Sequence, residues 1–259
     1  MLSVVFLVVG AIIVYILSKA LRLHPKPLKI ERPRQEARAV VLVFVAVLVA
    51  TFALVAFYHG VFNPAFQLDE RPLFTVDIID VLWSALFYAT LILPLVIAMK
   101  MTKQSLKSVG ISTENGERLL ALGFAFSAIL LTVLGFLSSS FGEGFKGFSL
   151  SWAYGLVVYA IVGFSEEVVF RGYIQTRLVA YSGTLKGLLI TSMLFVLFHL
   201  PRYYFLSGDV LEGSALALLR LPVGLLFGYV MIKSQNIIPS SLIHLFTNWG
   251  GLVVFQIFF

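Results

Sequence analysis

The chain has 259 residues, 59% of them hydrophobic and 12% charged, with a mean hydropathy of +0.97. Soluble domains carry about 25% charged residues, so this composition excludes an ordinary soluble enzyme and a disordered tail. The absence of cysteine excludes a disulfide framework, thiolate zinc ligation and a cysteine nucleophile, and the net charge of +6 reads as membrane topology rather than a nucleic-acid partner. A helix that crosses the ~30 Å hydrocarbon core needs roughly 20 mostly apolar residues. In chain order the stretches that qualify are 2–17, 39–58, 81–99, 119–137, 152–172, 216–232 and 239–258. A shorter run at 187–200 either stops at Pro201 or continues past a kink there. Alternating segments of about ten residues are absent, which argues against a β-barrel. The expected fold is an all-α polytopic membrane bundle of about eight transmembrane helices.

The connections set a direction. Lys19, Arg22, Lys26, Lys29, Arg32, Arg34 and Arg38 lie between the first and second stretches, and Lys100, Lys103, Lys107 and Arg118 between the third and fourth. Arg177 and Lys186 fall in the next such connection, and Lys233 in the last. The alternate connections carry Arg71, Lys146 and Arg202 beside Asp69, Glu70, Asp77, Asp80, Glu143, Asp209 and Glu212. Basic connections are cytoplasmic as a rule, which places both termini outside. Asp77 and Asp80 read as water-facing residues at the outer mouth of the third helix. The first basic cluster follows the first apolar run, the wrong order for a cleaved signal peptide, so that run reads as a retained anchor. Gly224 and Gly228 form a small-xxx-small pair that lets helices approach closely.

Ionisable groups at membrane depth are costly, so each one marks a candidate functional site. They occur in three segments: Phe164-Ser165-Glu166-Glu167-Val168-Val169-Phe170-Arg171, Phe195-Val196-Leu197-Phe198-His199, and His244-Leu245-Phe246-Thr247-Asn248. Adjacent helical residues point about 100° apart, so Glu166 and Glu167 cannot both face one small target. Glu167 precedes Arg171 by one helical turn, in the favourable order for an intrahelical ion pair. Glu166 has no such partner, and a carboxyl group in apolar surroundings resists ionisation, which suits a group that takes and gives protons near neutrality. Counting rise per residue from the basic ends, Glu166 lies ~9 Å in, His199 ~18 Å, His244 ~7–8 Å and Asn248 ~13–14 Å, depths that allow one cluster.

Such a cluster has several readings. A carboxylate and a neutral imidazole can hold a water and take its proton as it attacks a peptide carbonyl, while His244 and Asn248 present N–H donors to the oxyanion. Two His and one Glu also make a catalytic zinc set, although no His-Glu-x-x-His helix is present. A proton relay in a transporter would use Glu166, His199 and His244. Taken singly, Glu167–Arg171 can be a packing ion pair, and His199, His244 and Asn248 can be polar contacts between helices.

Glu166-Glu167-x-x-x-Arg171, Phe195-x-x-x-His199 and His244-x-x-x-Asn248, in that order on successive apolar segments, resemble the signature of the CAAX protease and bacteriocin-processing family over roughly residues 152–249. The resemblance implies an intramembrane glutamic endopeptidase with its active site open to the cytosol. In it Glu166 and His199 would activate water, His244 and Asn248 would form the oxyanion site, and Glu167 with Arg171 would be structural. It implies no cofactor and no metal, and a membrane-associated peptide or protein substrate, prenylated or not. Residues 1–118 would then hold three N-terminal helices, and residues 119–259 the catalytic transmembrane core of a single membrane domain. A non-catalytic bacteriocin-immunity scaffold is the other reading that the family allows. The lack of cysteine and of appended soluble domains points to a prokaryotic plasma membrane.

Overall fold

The computed structural model describes residues 2–66, 75–140 and 149–258, and all regular structure among them is helical. The elements in order are α1 (Leu2–Ala20), α2 (Pro33–Phe57), α3 (Ile78–Met101), α4 (Gly116–Ser140), α5 (Leu150–Glu167), α6 (Thr176–Ser182), α7 (Thr184–Ser207), α8 (Val210–Leu218), α9 (Leu221–Ser234) and α10 (Ile237–Phe258). A π-helical turn, Tyr58–Phe62, extends α2 into a last turn at Asn63–Phe66, and a π segment, Val168–Gln175, joins α5 to α6. Among the described residues, six helical stretches are long and apolar enough to cross a membrane: Pro33–Phe66, Ile78–Met101, Gly116–Val133, Leu150–Ser182, Thr184–Ser207 and Val210–Ser234. The apolar run of α1, Val4–Ala20, is shorter, and α10 has 22 residues. The protein is a polytopic helical membrane bundle.

Apolar side chains cover both faces of α2. Val40, Val43 and Val47 are buried, while Val41, Leu42, Val45 and Val49 are exposed, Leu42 by 74%. A helix that is hydrophobic all round is stable with one face in lipid. At the start of α3, Asp77 and Asp80 do more than face water. Asp77 Oδ1 accepts from the Ile79 amide at 2.8 Å and the Asp80 amide at 3.4 Å, and Asp80 Oδ2 accepts from the Asp77 amide at 3.0 Å, which closes a reciprocal capping box.

Three boundaries differ from the sequence expectation. The helix expected to end at 172 continues through the π segment to Ser182, because that segment is buried in protein throughout. The short run ending before Pro201 continues to Ser207, since Pro removes one hydrogen bond without stopping a helix packed among neighbours. The stretch 216–232 is divided at Leu219–Arg220, where Pro222 opens α9.

All four basic connections gather at one end. The Leu28 amide donates to Gln235 Oε1 (3.1 Å), an Arg118 guanidinium N–H donates to the Arg22 carbonyl (3.3 Å), and Asn236 Nδ2 donates to the Ser112 carbonyl (2.9 Å). Arg177, which the sequence places among exposed loop charges, is fully buried at this end. It pairs with Glu36 (3.2 Å), donates to Ser108 and Gln104, and lies over the Tyr173 ring. At the opposite end the Val76 amide donates to Ser151 Oγ (2.8 Å), and Arg220 Nε donates to the Tyr203 hydroxyl (2.6 Å).

Between these ends α10 runs against α4, α5 and α9, and α5 packs against α3. The approach of α5 to α10 requires Gly163, where an added Cβ would lie 3.0 Å from the Ser241 carbonyl oxygen and 3.1 Å from the Leu245 amide. That contact sets His244 beside the end of α5. In the α6–α7 hairpin Gly187 packs directly on the Val179 backbone. Counted from that crossing, Glu166 and His199 both lie about 18–20 Å along their helices, so the hairpin brings them to one level.

Candidate active site

The site is built where α5 changes winding. Glu166 and Glu167 close its α-helical part and are 3% and 0% exposed. The π segment that follows carries Arg171, whose Nε stands 3.5 Å from Glu167 Oε2. π-helical turns inside α-helices are frequent at functional sites because they re-aim side chains that regular winding would turn away. Arg171 also donates to the Gly224 carbonyl (3.3 Å), and its guanidinium lies 4.4 Å from the Phe195 ring centroid. Gln175, one turn further, donates to the Gly228 carbonyl at 2.8 Å. The small-residue pair on α9 therefore supplies two bare carbonyls to the π segment as well as close approach.

His244 on α10 lies between the two carboxylates. Its Nδ1 is 3.2 Å from Glu167 Oε1, a hydrogen bond, while its Nε2 is 3.8 Å from Glu166 Oε2. The second separation exceeds hydrogen-bonding range, and Glu166 Oε2 is buried without a hydrogen-bond partner among the described residues. Phe227 packs on the imidazole with ring centroids 4.7 Å apart.

His199 joins from α7. Its Nδ1 contacts the Phe195 carbonyl at 2.9 Å, and its ring meets the Phe195 ring at 4.5 Å between centroids. The Phe195 ring in turn lies 6.4 Å from that of His244. Asn248 is one turn beyond His244 on α10 and half-buried, and its side chain makes no hydrogen bond with the described residues. Glu166, Glu167, Arg171 and His244 thus touch or nearly touch. His199 adjoins them through Phe195, and Asn248 is linked to them only through its helix.

One contact at this site has no counterpart in the sequence reading. The Tyr88 hydroxyl, from the middle of α3, donates to Glu166 Oε1 at 2.6 Å. A tyrosine hydroxyl inside an apolar span needs a polar partner, and that need was the only signal available. Among the described residues no three His, Cys, Asp or Glu side chains form a metal-binding group.

Residues 148–250 match the family model described as type II CAAX prenyl endopeptidase Rce1-like. The matched stretch contains Glu166, Glu167, Arg171, His199, His244 and Asn248, and excludes Tyr88 and Glu36. No curated protein matches the chain significantly.

Proposed function

From the Rce1-like match over residues 148–250, we propose that this integral membrane protein is an intramembrane CAAX-type endopeptidase that cuts a membrane-anchored substrate near the cytoplasmic face. One observation carries the reading: the buried, unpartnered Glu166 Oε2 faces His244 Nε2 at 3.8 Å. A water admitted with the substrate, off the line between them, would reach both atoms.

In the proposed reaction Glu166 Oε2 takes a proton from that water as its oxygen adds to the scissile carbonyl carbon. The proton then passes to the departing nitrogen as the C–N bond breaks, leaving a carboxylic acid, which ionises to solvent, and an amine. His199 has Nδ1 occupied by the Phe195 carbonyl, so Nε2 is the nitrogen left to assist the water in this scheme. His244 and Asn248 supply N–H donors to the oxyanion. Because the His244 Nδ1–H serves Glu167, its Nε2 carries a proton only when the ring is imidazolium. The Asn248 side chain makes no hydrogen bond with the described residues, so its carboxamide N–H can serve the same oxygen. Glu167 and Arg171 hold His244 and do not enter the reaction.

The cytoplasmic placement rests on charge. The basic connections share one end, which the positive-inside rule assigns to the cytosol. Gly172 packs against Val109 of the α3–α4 connection at that end, and Glu166 lies about 9 Å further along the helix. The family description favours a prenylated protein terminus as substrate.

The test is purified full-length protein presented with tagged membrane peptides, prenylated and unprenylated. Glu166→Ala and His199→Ala should each lower cleavage at least about 100-fold while the folded protein persists. Unchanged cleavage in either variant defeats the assignment. Loss with chelators that zinc reverses would replace it with a metal mechanism.

A further inference from the structure

Glu166 has no cation on its own helix turn, and its two carboxylate oxygens meet different surroundings. Oε1 accepts the Tyr88 hydroxyl at 2.6 Å, within the 2.5–2.7 Å range of a charge-assisted O–H···O⁻ bond. Oε2 accepts nothing from the described residues and faces His244 Nε2. The last torsion of a glutamate side chain is broad and nearly two-fold, so nothing within Glu166 decides which oxygen points where. The decision comes from outside, from a helix beyond the family-matched segment.

We propose that Tyr88 is the positioning residue of this site: its hydroxyl pins Oε1 and thereby presents Oε2, lone pairs free, as the oxygen that accepts the proton from water. The inference rests on the endopeptidase reading and names the part that α3 plays in it. Two features of the contact fit the role. The bond spans 78 residues of sequence, so the packing of α3 on α5 aligns it rather than local helix geometry. The ring sits edge-on against its neighbour Phe87, with centroids 5.1 Å apart. Without the hydroxyl, the carboxylate is free to turn and Oε2 is no longer held towards the imidazole. Ground-state substrate contacts are untouched.

Tyr88→Phe keeps the ring and deletes the donor. In the full-length protein, kcat should fall about 10- to 100-fold, the value of one hydrogen bond to a charged group, with KM and the affinity for a non-cleavable substrate peptide unchanged. The second readout does not need turnover. The Glu166 carboxyl stretch, isolated as the infrared difference between wild type and Glu166→Gln, should shift in Tyr88→Phe. A merely structural role predicts a lower thermal midpoint, wild-type kcat per active site, and an unmoved band. Wild-type kcat in Tyr88→Phe, or an unmoved band, overturns the proposal. Absence of cleavage by the wild type, with the band still shifting, would sink the endopeptidase reading and leave Tyr88 as the partner of Glu166 alone.

Discussion

Glu166 and Glu167 are neighbours in sequence and meet different partners because successive helical residues point about 100° apart. Glu167 has the fuller set: Arg171 Nε at 3.5 Å and His244 Nδ1 at 3.2 Å, with Glu167 and Arg171 both fully buried. A buried pair adds little net stability, but removing one member strands the other's charge, at about 3–5 kcal/mol. Glu167→Gln should therefore lower the thermal midpoint sharply in detergent, and Glu167→Gln combined with Arg171→Met should recover most of the loss. Glutamine still offers an oxygen to His244 Nδ1, so kcat per folded molecule should change little, whereas Glu167→Leu should lower both. A Glu167→Gln protein as stable as wild type would show that Arg171 is compensated elsewhere, by the Gly224 carbonyl and the Phe195 ring. The Glu167–Arg171 spacing was legible in the sequence because it is local. The His244 link to Glu167 was not, since it depends on which face of α10 meets α5.

The approach of α5 to α10 is set by one glycine, which makes a test at the scale of elements. A methyl group at Gly163 meets backbone atoms of α10 at 3.0 and 3.1 Å, and backbone cannot swing aside as a long side chain does. Gly163→Ala should move α10 outward by a few tenths of an ångström, costing roughly 1–3 kcal/mol as overpacking. It should also lengthen the His244 contacts, so kcat should drop further than stability explains, measured at a temperature where both proteins are folded. Equal kcat would show that His244 position tolerates the shift. At this scale the sequence was readable where a pattern is self-contained: apolar length marked the long spans. It was silent where packing chooses. No local signal distinguishes π from α winding at Val168–Gln175, and the extension to Ser182 depends on Arg177 finding Glu36, Gln104 and Ser108 on other elements. Tyr88 looked like one more aromatic in an apolar span for the same reason.

For the whole molecule, the family-matched segment is an incomplete description of the site. Residues 148–250 bring the Glu, His and Asn side chains, but α3 supplies the hydroxyl on Glu166, and α2 supplies the carboxylate that neutralises Arg177. The N-terminal helices are thus bound to the core at two depths, one at the carboxylate and one at the basic end. The proposed orientation in the membrane rests on charge, and it is open to direct measurement because the chain has no cysteine of its own. Lys107, on the α3–α4 connection, and Lys186, in the first turn of α7, are exposed at the basic end, and Glu212 is exposed in the first turn of α8 at the other. Single substitutions Lys107→Cys and Lys186→Cys should react with a membrane-impermeant maleimide only when the cytoplasmic side is opened, and Glu212→Cys should react in intact cells. Moving a Lys or Arg to the trans side works against the ~1 kcal/mol that each gains beside an anionic cytoplasmic leaflet, so a chain with its basic connections at one end has a single favoured orientation. The reverse labelling pattern would put Glu166 near the outer face, and substrates anchored on the cytosolic leaflet would then lie out of reach of the site.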